Sequence, residues 1–172
     1  MIEIRRLFTD EVIYRFKGAS LAGAELPGVT WETANLAGMD LTGANLEGAR
    51  LGVADLSGAN LTYCHLKGTD LTGANLVTAN LSLARLQGAR LVSADLGDAT
   101  LYKAHLEGAT ASSANFTGAD LRKARLEGAD FSYSFFTSAD VKEAVFDADT
   151  KFPLLFFDPE GKGAVQVQKA KE

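Results

Sequence analysis

The chain has 172 residues, a formal net charge of −5 and a pI near 5.1. This charge balance argues against general nucleic-acid binding, which needs a basic face, and the length suits one domain with an ample core. A single cysteine, Cys64, excludes an internal disulfide, and the lack of a signal-peptide core or of a bilayer-length apolar run predicts a cytoplasmic protein without membrane contact.

Residues 1–18 precede a repeating region and are predicted to form a short helical cap. Thr9 is a candidate N-cap for this helix. The apolar residues Val12, Ile13 and Phe16 then fall on one helix face. A β-solenoid exposes unpaired backbone at its ends and needs a cap against edge-to-edge growth, and this role explains the amphipathic pattern without membrane docking.

From Ala19 to Ala148 the chain repeats every five residues without a slip in register, which gives 26 pentads. The consensus is Ala-Asp/Asn-Leu-x-Gly, and it is plainest between Met39 and Leu51. Because a period of five fits neither a helix nor a strand, the chain must turn once per pentad, with one small and one large side chain facing inward. Coils that close after a whole number of pentads stack at about 4.8 Å and pair their backbones.

A longer period indicates the number of sides. Glycine occupies one position in every fourth pentad, a period of 20 residues, while the other pentads are mixed there. Glycine is required where φ must be positive, as in a type II turn. The period therefore predicts four pentads per coil, with one corner tighter than the others. These strict glycines are Gly28, Gly48, Gly68, Gly88, Gly108 and Gly128.

The pentads resemble the A(D/N)LxG motif of the pentapeptide-repeat proteins, and the resemblance covers about three-quarters of the chain. It implies a right-handed quadrilateral β-helix, here of about 6.5 coils over residues 19–148. Many cyanobacterial members end in Thr-x-Phe-Pro followed by Phe-Asp-Pro, as this chain does between Thr150 and Pro159. The predicted fold class is thus an all-β solenoid with a short N-terminal helical cap.

The large inward position has one irregularity. It is Ala111, whereas all the remaining pentads carry a large apolar residue there. Phe116 follows in the same coil and supplies compensating volume. We interpret the pair as a local repacking rather than as a ligand pocket. Cys64 occupies a small inward position and is predicted to be a buried, inert thiol.

Residues 149–172 leave the repeat and are predicted to form a closing segment and a frayed tail. Pro153 and Pro159 forbid a continuing ladder, and five large apolar side chains need a surface to cover. Two interpretations are open: a plug on the last coil, or a homodimer surface, as in family members that pair through their C-terminal ends. The five residues are Phe152, Leu154, Leu155, Phe156 and Phe157.

One outer face carries the acidic column, which we define as Asp55, Asp95 and Asp98. Quinolone-resistance members of the family imitate duplex DNA and bind DNA gyrase, so the resemblance implies this role as an alternative. Duplex DNA carries a charge about every 1.7 Å, whereas Asp55 and Asp95 lie two coils, or about 10 Å, apart. We favour a structural role, because Asp and Asn side chains bond to nearby backbone in turns.

Two other groups of outward residues are candidates for binding. The strict-glycine face stacks His65, Arg85, His105 and Arg125, which is a candidate anion site, although adjacent glutamates favour a solvated salt ladder. Tyr63, Leu83 and Tyr102 form the clearest outward apolar cluster of the middle coils and are a candidate surface for a protein partner. Tyr133 and Phe135 make a second pair, within reach of the closing segment.

Catalysis finds no support in these faces. Outward side chains on a convex prism diverge and the interior is packed, whereas active sites need concavity and convergence. We therefore predict no enzymatic activity, no cofactor and no metal site. The predicted function is a protein-interaction scaffold or regulator with an unidentified protein partner. The alternatives are a DNA-mimicking inhibitor or protector of gyrase, acting as a dimer, and a structural or stress-related rod.

Overall fold

The computed structural model describes residues 1–153 and 157–168, and most of these lie in hydrogen-bonded turns joined by single-residue β-bridges. Short strands occur at both ends. They are β1 (Ile2–Arg6), β2 (Val12–Phe16), β3 (Ala34–Asn35), β4 (Val145–Phe146) and β5 (Val165–Gln166). Within this described part of the chain no helix has the length and apolar character needed to cross a membrane.

The predicted N-terminal helix is wrong, because β1 and β2 pair as an antiparallel hairpin. The Glu11 amide does donate to the Thr9 hydroxyl at 3.4 Å, but it does so in a turn where Asp10 has a φ of 55°. β-Branched residues are frequent in both strands and favour extended backbone. Charged residues also pair across the strands, as Glu3 does with Arg15 at 3.1 Å.

The hairpin covers the first coil, which is the role that was expected of the helix. Strand β1 pairs antiparallel with β3, with Arg5 opposite Asn35. Ile4 of β1 is fully buried, and Tyr14 of β2 meets Trp31 edge to face with ring centroids 5.1 Å apart. The hairpin therefore occupies an open backbone edge that would otherwise be available for pairing with another chain.

Between the two ends the chain is a β-helix solenoid. Parallel bridges join residues twenty apart and form four ladders, one on each face. Each coil thus contains four pentads, as the glycine period predicts. The ladders start at Glu25, Thr30, Asn35 and Asp40. The right-handed sense and the figure of 6.5 coils stay predictions.

The hydrogen bonds of one pentad explain the motif. In residues 54–58, four of the five amides donate to backbone carbonyls, within the turn or in a neighbouring coil. The fifth amide, that of Ser57, points outward and donates to the Asp55 carboxylate at 3.0 Å. Thirteen Asp or Asn side chains on the ladders cap an outward amide in this way. The motif therefore prefers these residues for a structural reason.

All four corners of the coil use the same turn, so the prediction of one tighter corner is wrong. The third residue of each turn has a positive φ whether or not it is glycine: 66° at Gly48, 57° at Val53 and 60° at Tyr63. A Cβ placed at Gly48, Gly68 or Gly88 would meet nothing within 4 Å. Neither φ nor crowding therefore accounts for the glycine column, but its effect is clear, since it leaves one corner without side chains.

The shared turn leads to a stability prediction at Val53, a β-branched residue held in the left-handed region. Val53→Gly is expected to raise the unfolding free energy by about 0.5–1 kcal/mol, because the relief of left-handed strain exceeds the entropy that glycine loses on folding. Urea denaturation measures the change. Val92→Gly is the matched control and should destabilise, because Val92 does not have a positive φ.

Polar side chains that point into the column bond to backbone carbonyls. The Thr69 hydroxyl donates to Leu46 and the Ser134 hydroxyl to Ala111, each at 2.7 Å. Cys64 is fully buried, and burial raises the pKa of its thiol to about 12. The cysteine is thus a protonated, inaccessible thiol, in agreement with its predicted inert role.

Aromatic rings fill the C-terminal third of the column. Phe116 is fully buried in the coil of Ala111, and it stacks on Phe136 with centroids 5.0 Å apart and meets Phe131 at 5.5 Å. The space next to Ala111 is thus part of a continuous aromatic cluster. The cluster consists of Phe116, Phe131, Phe136, Phe146, Phe152 and Phe157.

The chain inserts one residue where it leaves the repeat, since Asp130 bridges to Lys151, twenty-one residues on. Asp147 holds the insertion together. Its carboxylate accepts hydrogen bonds from the amides of Gly128, Asp149 and Thr150 at 2.9–3.1 Å, and from the Thr150 hydroxyl at 2.9 Å.

The expected frayed tail is wrong for the residues around β5. Strand β5 pairs in parallel with β4, Val165 opposite Val145, so the stretch from Lys151 to Val165 is one residue shorter than that from Asp130 to Val145 and restores the twenty-residue register. Ala164 is buried in a small inward position. The strict-glycine face therefore continues through Val165, further along the chain than the last described bridge on any other face.

Candidate interaction surfaces

The acidic column is built into the ladder that starts at Asn35. Asp55 and Asp95 each accept a hydrogen bond from the asparagine one coil further on, Asn75 at 3.1 Å and Asn115 at 2.8 Å, as well as from a backbone amide. The carboxylate of Asp98 lies against Gly118. Asp55 and Asp95 therefore take part in the hydrogen bonding of the ladder, and Asn75 separates their charges.

The Tyr63, Leu83 and Tyr102 cluster is less available than its sequence suggests. Tyr63 is 57% exposed, but Leu83 and Tyr102 are only partly exposed. The Tyr102 ring has the Lys103 ammonium 5.3 Å and the Arg122 guanidinium 5.8 Å from its centroid. Cations thus compete with any partner for the Tyr102 ring.

The column of His65, Arg85, His105 and Arg125 divides into two halves. In the second half, Glu107 contacts both His105 and Arg125 at 3.1 Å, and Glu127 contacts Arg125 at 2.8 Å. This half is the salt ladder expected from the sequence. In the first half, His65 and Arg85 have no ion pair among the residues that the structure describes.

A concave surface with a volume of about 690 Å³ lies at the C-terminal end. We call it the terminal groove and define it by Tyr133, Phe135, Phe136, Phe152, Phe157 and Lys162. Tyr133 is 81% and Phe135 is 61% exposed, so the described residues leave this pair uncovered. Two large aromatic side chains are thus presented beside a cavity with an aromatic floor.

The residues assigned to the closing segment are only partly described. Phe152 stacks on Phe131 at 5.7 Å, and Phe157 lies 4.4 Å from Phe136 between ring centroids, so both rings pack on the last coil. Leu154, Leu155 and Phe156 lie outside the described residues.

The sequence pattern did contain a signal for the terminal groove. Phe135 stands on the ladder that otherwise carries only Asn or Asp from Asn35 to Asn115. Tyr133 stands at the adjacent corner, which Gly73 and Ser93 occupy in earlier coils. Such a break in a repeat marks a position where the surface differs from the rest. No sequence pattern predicted that Lys162 lines the groove, because its position depends on how the chain pairs after the insertion.

A family model described as pentapeptide repeats matches the chain in eight copies. The matched residues are 15–52, 40–77, 53–88, 79–118 and 112–147. No curated protein sequence matches the chain.

Solved structures of similar proteins include two from the cyanobacterium Nostoc PCC 7120. HetL, a pentapeptide repeat protein involved in heterocyst differentiation regulation, is 37% identical over 73% of this chain and 60% of HetL, with a TM-score of 0.44. The match therefore spans less than two-thirds of HetL. The Nostoc protein alr5209 is 34% identical over 69% of this chain and 84% of its own length, with a TM-score of 0.30. A thylakoid-lumen protein of Arabidopsis thaliana is 24% identical over 76% of this chain and 68% of its own, with a TM-score of 0.38.

Proposed function

Because the chain belongs to the pentapeptide-repeat family, we propose that it is a non-enzymatic scaffold that binds a protein partner at the terminal groove. The observation that carries this proposal is the exposure of Tyr133 and Phe135 beside the groove. Aromatic side chains that are rigid, exposed and next to a pocket are typical anchors of protein interfaces.

The chemistry of the groove indicates the kind of partner. Phe136, Phe152 and Phe157 supply an apolar floor, and Lys162 lies at the wall. A partner segment with a large apolar side chain, followed by an acidic residue for Lys162, complements this surface. HetL is involved in the regulation of differentiation, and a regulatory role for the scaffold is part of the proposal.

The test is affinity capture with two pairs of variants. Tyr133→Ser with Phe135→Ser removes the exposed anchors, while Tyr63→Ser with Leu83→Ser alters the middle cluster and serves as the matched control. We expect a partner that the wild type and the control capture equally, and that the groove variant loses at least tenfold. Equal capture by all three proteins would overturn the assignment to the groove.

Light scattering distinguishes a second copy of the chain from a different protein as the occupant. The mass of the wild type is compared with that of the Tyr133→Ser, Phe135→Ser variant at low and high salt. A salt-resistant dimer that dissociates in the variant would make the partner another copy of this chain. A wild-type monomer assigns the groove to a different protein.

The gyrase alternative gains no support from the surface charges. Asn75 stands between Asp55 and Asp95 on their ladder, and the face that starts at Thr30 alternates Arg50, Asp70 and Arg90. A DNA mimic needs dense, continuous negative charge. In a supercoiling assay we expect gyrase activity to be unchanged by the protein.

A further inference from the structure

We infer that the first half of the histidine–arginine column is a binding site for a phosphate group. The site is a depression of about 380 Å³ lined by Glu47, His65, Lys67, Arg85 and Gln87. We call it the basic pocket. This inference is independent of the terminal groove and of the scaffold role.

The first step concerns backbone donors. On the ladders, Asp or Asn caps the outward amide two residues later, as Asp70 does for Thr72 at 3.0 Å. His65 and Arg85 stand where this Asp or Asn would be and provide no such acceptor. The amides of Lys67 and Gln87 therefore have no acceptor within residues 1–153 and 157–168.

The second step concerns charge. Lys67 and Arg85 make no ion pair within the described part of the chain. Arg85 lies one coil from His65 on the same ladder, at a spacing of about 4.8 Å. Glu47, one coil before Lys67, is the only carboxylate among the lining residues. The pocket therefore combines two permanent cations, an imidazole and two outward amides.

The third step is a comparison within the same face. Glu107 and Glu127 take the positions that Lys67 and Gln87 hold in the basic pocket, and their carboxylates pair with His105 and Arg125. There the chain supplies its own anion. The basic pocket has the same framework, but the positions that would supply a carboxylate carry Lys67 and Gln87.

The corner beside the pocket is open. Gly68 and Gly88 follow Lys67 and Gln87, and a Cβ placed on either glycine would meet nothing within 4 Å. A ligand can thus approach both amides without a side chain in the way. The strict glycines, which the turn geometry does not require, therefore keep the basic pocket open on this side.

A phosphate group fits this set of donors better than a carboxylate. Phosphate in monoester form carries a charge of about −1.5 to −2 at pH 7, with three strong acceptor oxygens, which matches the two cations Lys67 and Arg85. Arginine contacts such oxygens with two parallel hydrogen bonds. The amides of Lys67 and Gln87 can donate to the same group.

The test is an NMR titration of the full chain with inorganic phosphate, followed at each backbone amide at constant ionic strength. We expect saturable shifts of the Lys67 and Gln87 amides. Lys67→Gln with Arg85→Gln should weaken binding about tenfold or more. Arg90→Gln with Lys103→Gln removes the same charge from other faces and should leave binding unchanged.

A single substitution tests the comparison with the second half of the column. Lys67→Glu places a carboxylate where Glu107 pairs with Arg125, and it should abolish phosphate binding by pairing with Arg85. Conversely, Glu47→Gln should tighten binding, because it removes the carboxylate from the pocket. The amide spectrum of each variant also reports whether the chain is folded.

The titration is repeated with glycerol phosphate to separate the two sources of a phosphate group. Equal or tighter binding of the ester assigns the site to phosphate esters, and binding at least tenfold weaker assigns it to the free ion. The inference is overturned if phosphate does not shift the two amides, or if the charge-matched control weakens binding as much as the pocket variant.

Discussion

Phe131→Ala is expected to lower the free energy of unfolding by about 4 kcal/mol, within the range of 3–5 kcal/mol typical of buried aromatic residues. Phe131 is fully buried, and its ring contacts Phe116, Phe136 and Phe152 at centroid distances of 5.5–5.7 Å. Ala111 lies one coil earlier at the same inward position. The variant would have alanine at this inward position in two successive coils. No larger neighbouring side chain would compensate for the cavity that is left.

Urea denaturation followed by circular dichroism measures this loss. Tyr133→Ala, in the same coil, is the control and should stay within about 0.5 kcal/mol of wild type, because Tyr133 is largely exposed. Since coils interact only with their neighbours, hydrogen exchange should locate the loss near Phe131. A loss below 1 kcal/mol would contradict the continuous aromatic cluster.

Asp147→Ala is expected to lower stability by about 2–3 kcal/mol, because the Gly128, Asp149 and Thr150 amides lose a charged acceptor. Hydrogen exchange is the more informative measurement. The amides of β5 should lose protection, while those of the middle coils keep theirs. Asp147→Asn retains an acceptor oxygen without the charge and should fall between the wild type and Asp147→Ala.

The same residue makes stability depend on pH. Burial opposes ionisation of Asp147, but hydrogen bonds from the Gly128 amide, the Thr150 hydroxyl and nearby amides outweigh burial and lower its pKa. A lowered pKa means that the contribution is fully present above the unfolded-state pKa of about 3.9. It is lost as the pH falls through the folded-state pKa.

Comparison of variants isolates this contribution, because Asp40, Asp70, Asp120 and Asp130 also have lowered pKa values. The stability difference between wild type and Asp147→Ala should be constant near pH 7 and should shrink below about pH 4. A difference that stays the same in acid would show that the charge of Asp147 contributes nothing.

The repeat made the coil predictable from the sequence, and the ends were less so. Strict spacing of Leu, Asp/Asn and Gly identified the inward positions and the faces, because every coil applies the same constraint. The hairpin of residues 1–18 occurs once and repeats no pattern. Val12, Ile13 and Phe16 suit one helix face, and Val12 and Phe16 also suit one side of a strand. Pairing of β1 with β3 decided the outcome, and this long-range contact has no local signal.

The turns show a second limit of the sequence. The glycine column predicts that one corner alone needs a positive φ, yet Val53 and Leu83 adopt nearly the same φ as Gly48. Composition at one corner therefore did not report its geometry. The candidate surfaces were affected in the same way, because the exposure of Tyr133 depends on where the closing segment runs, and the availability of Tyr102 depends on Lys103 and Arg122.

The equivalence of the four corners, with pairing between residues twenty apart, sets how such a gene can change its length. Loss or duplication of twenty residues removes or adds a coil and leaves every later residue on its original face. Loss of five residues keeps each turn intact, but it rotates everything downstream by one face. His105 would then continue the column of Asn80 rather than that of Arg85. Insertions and deletions in multiples of five residues therefore preserve the turns of the coil. Only multiples of twenty residues also preserve the pattern of side chains on each face.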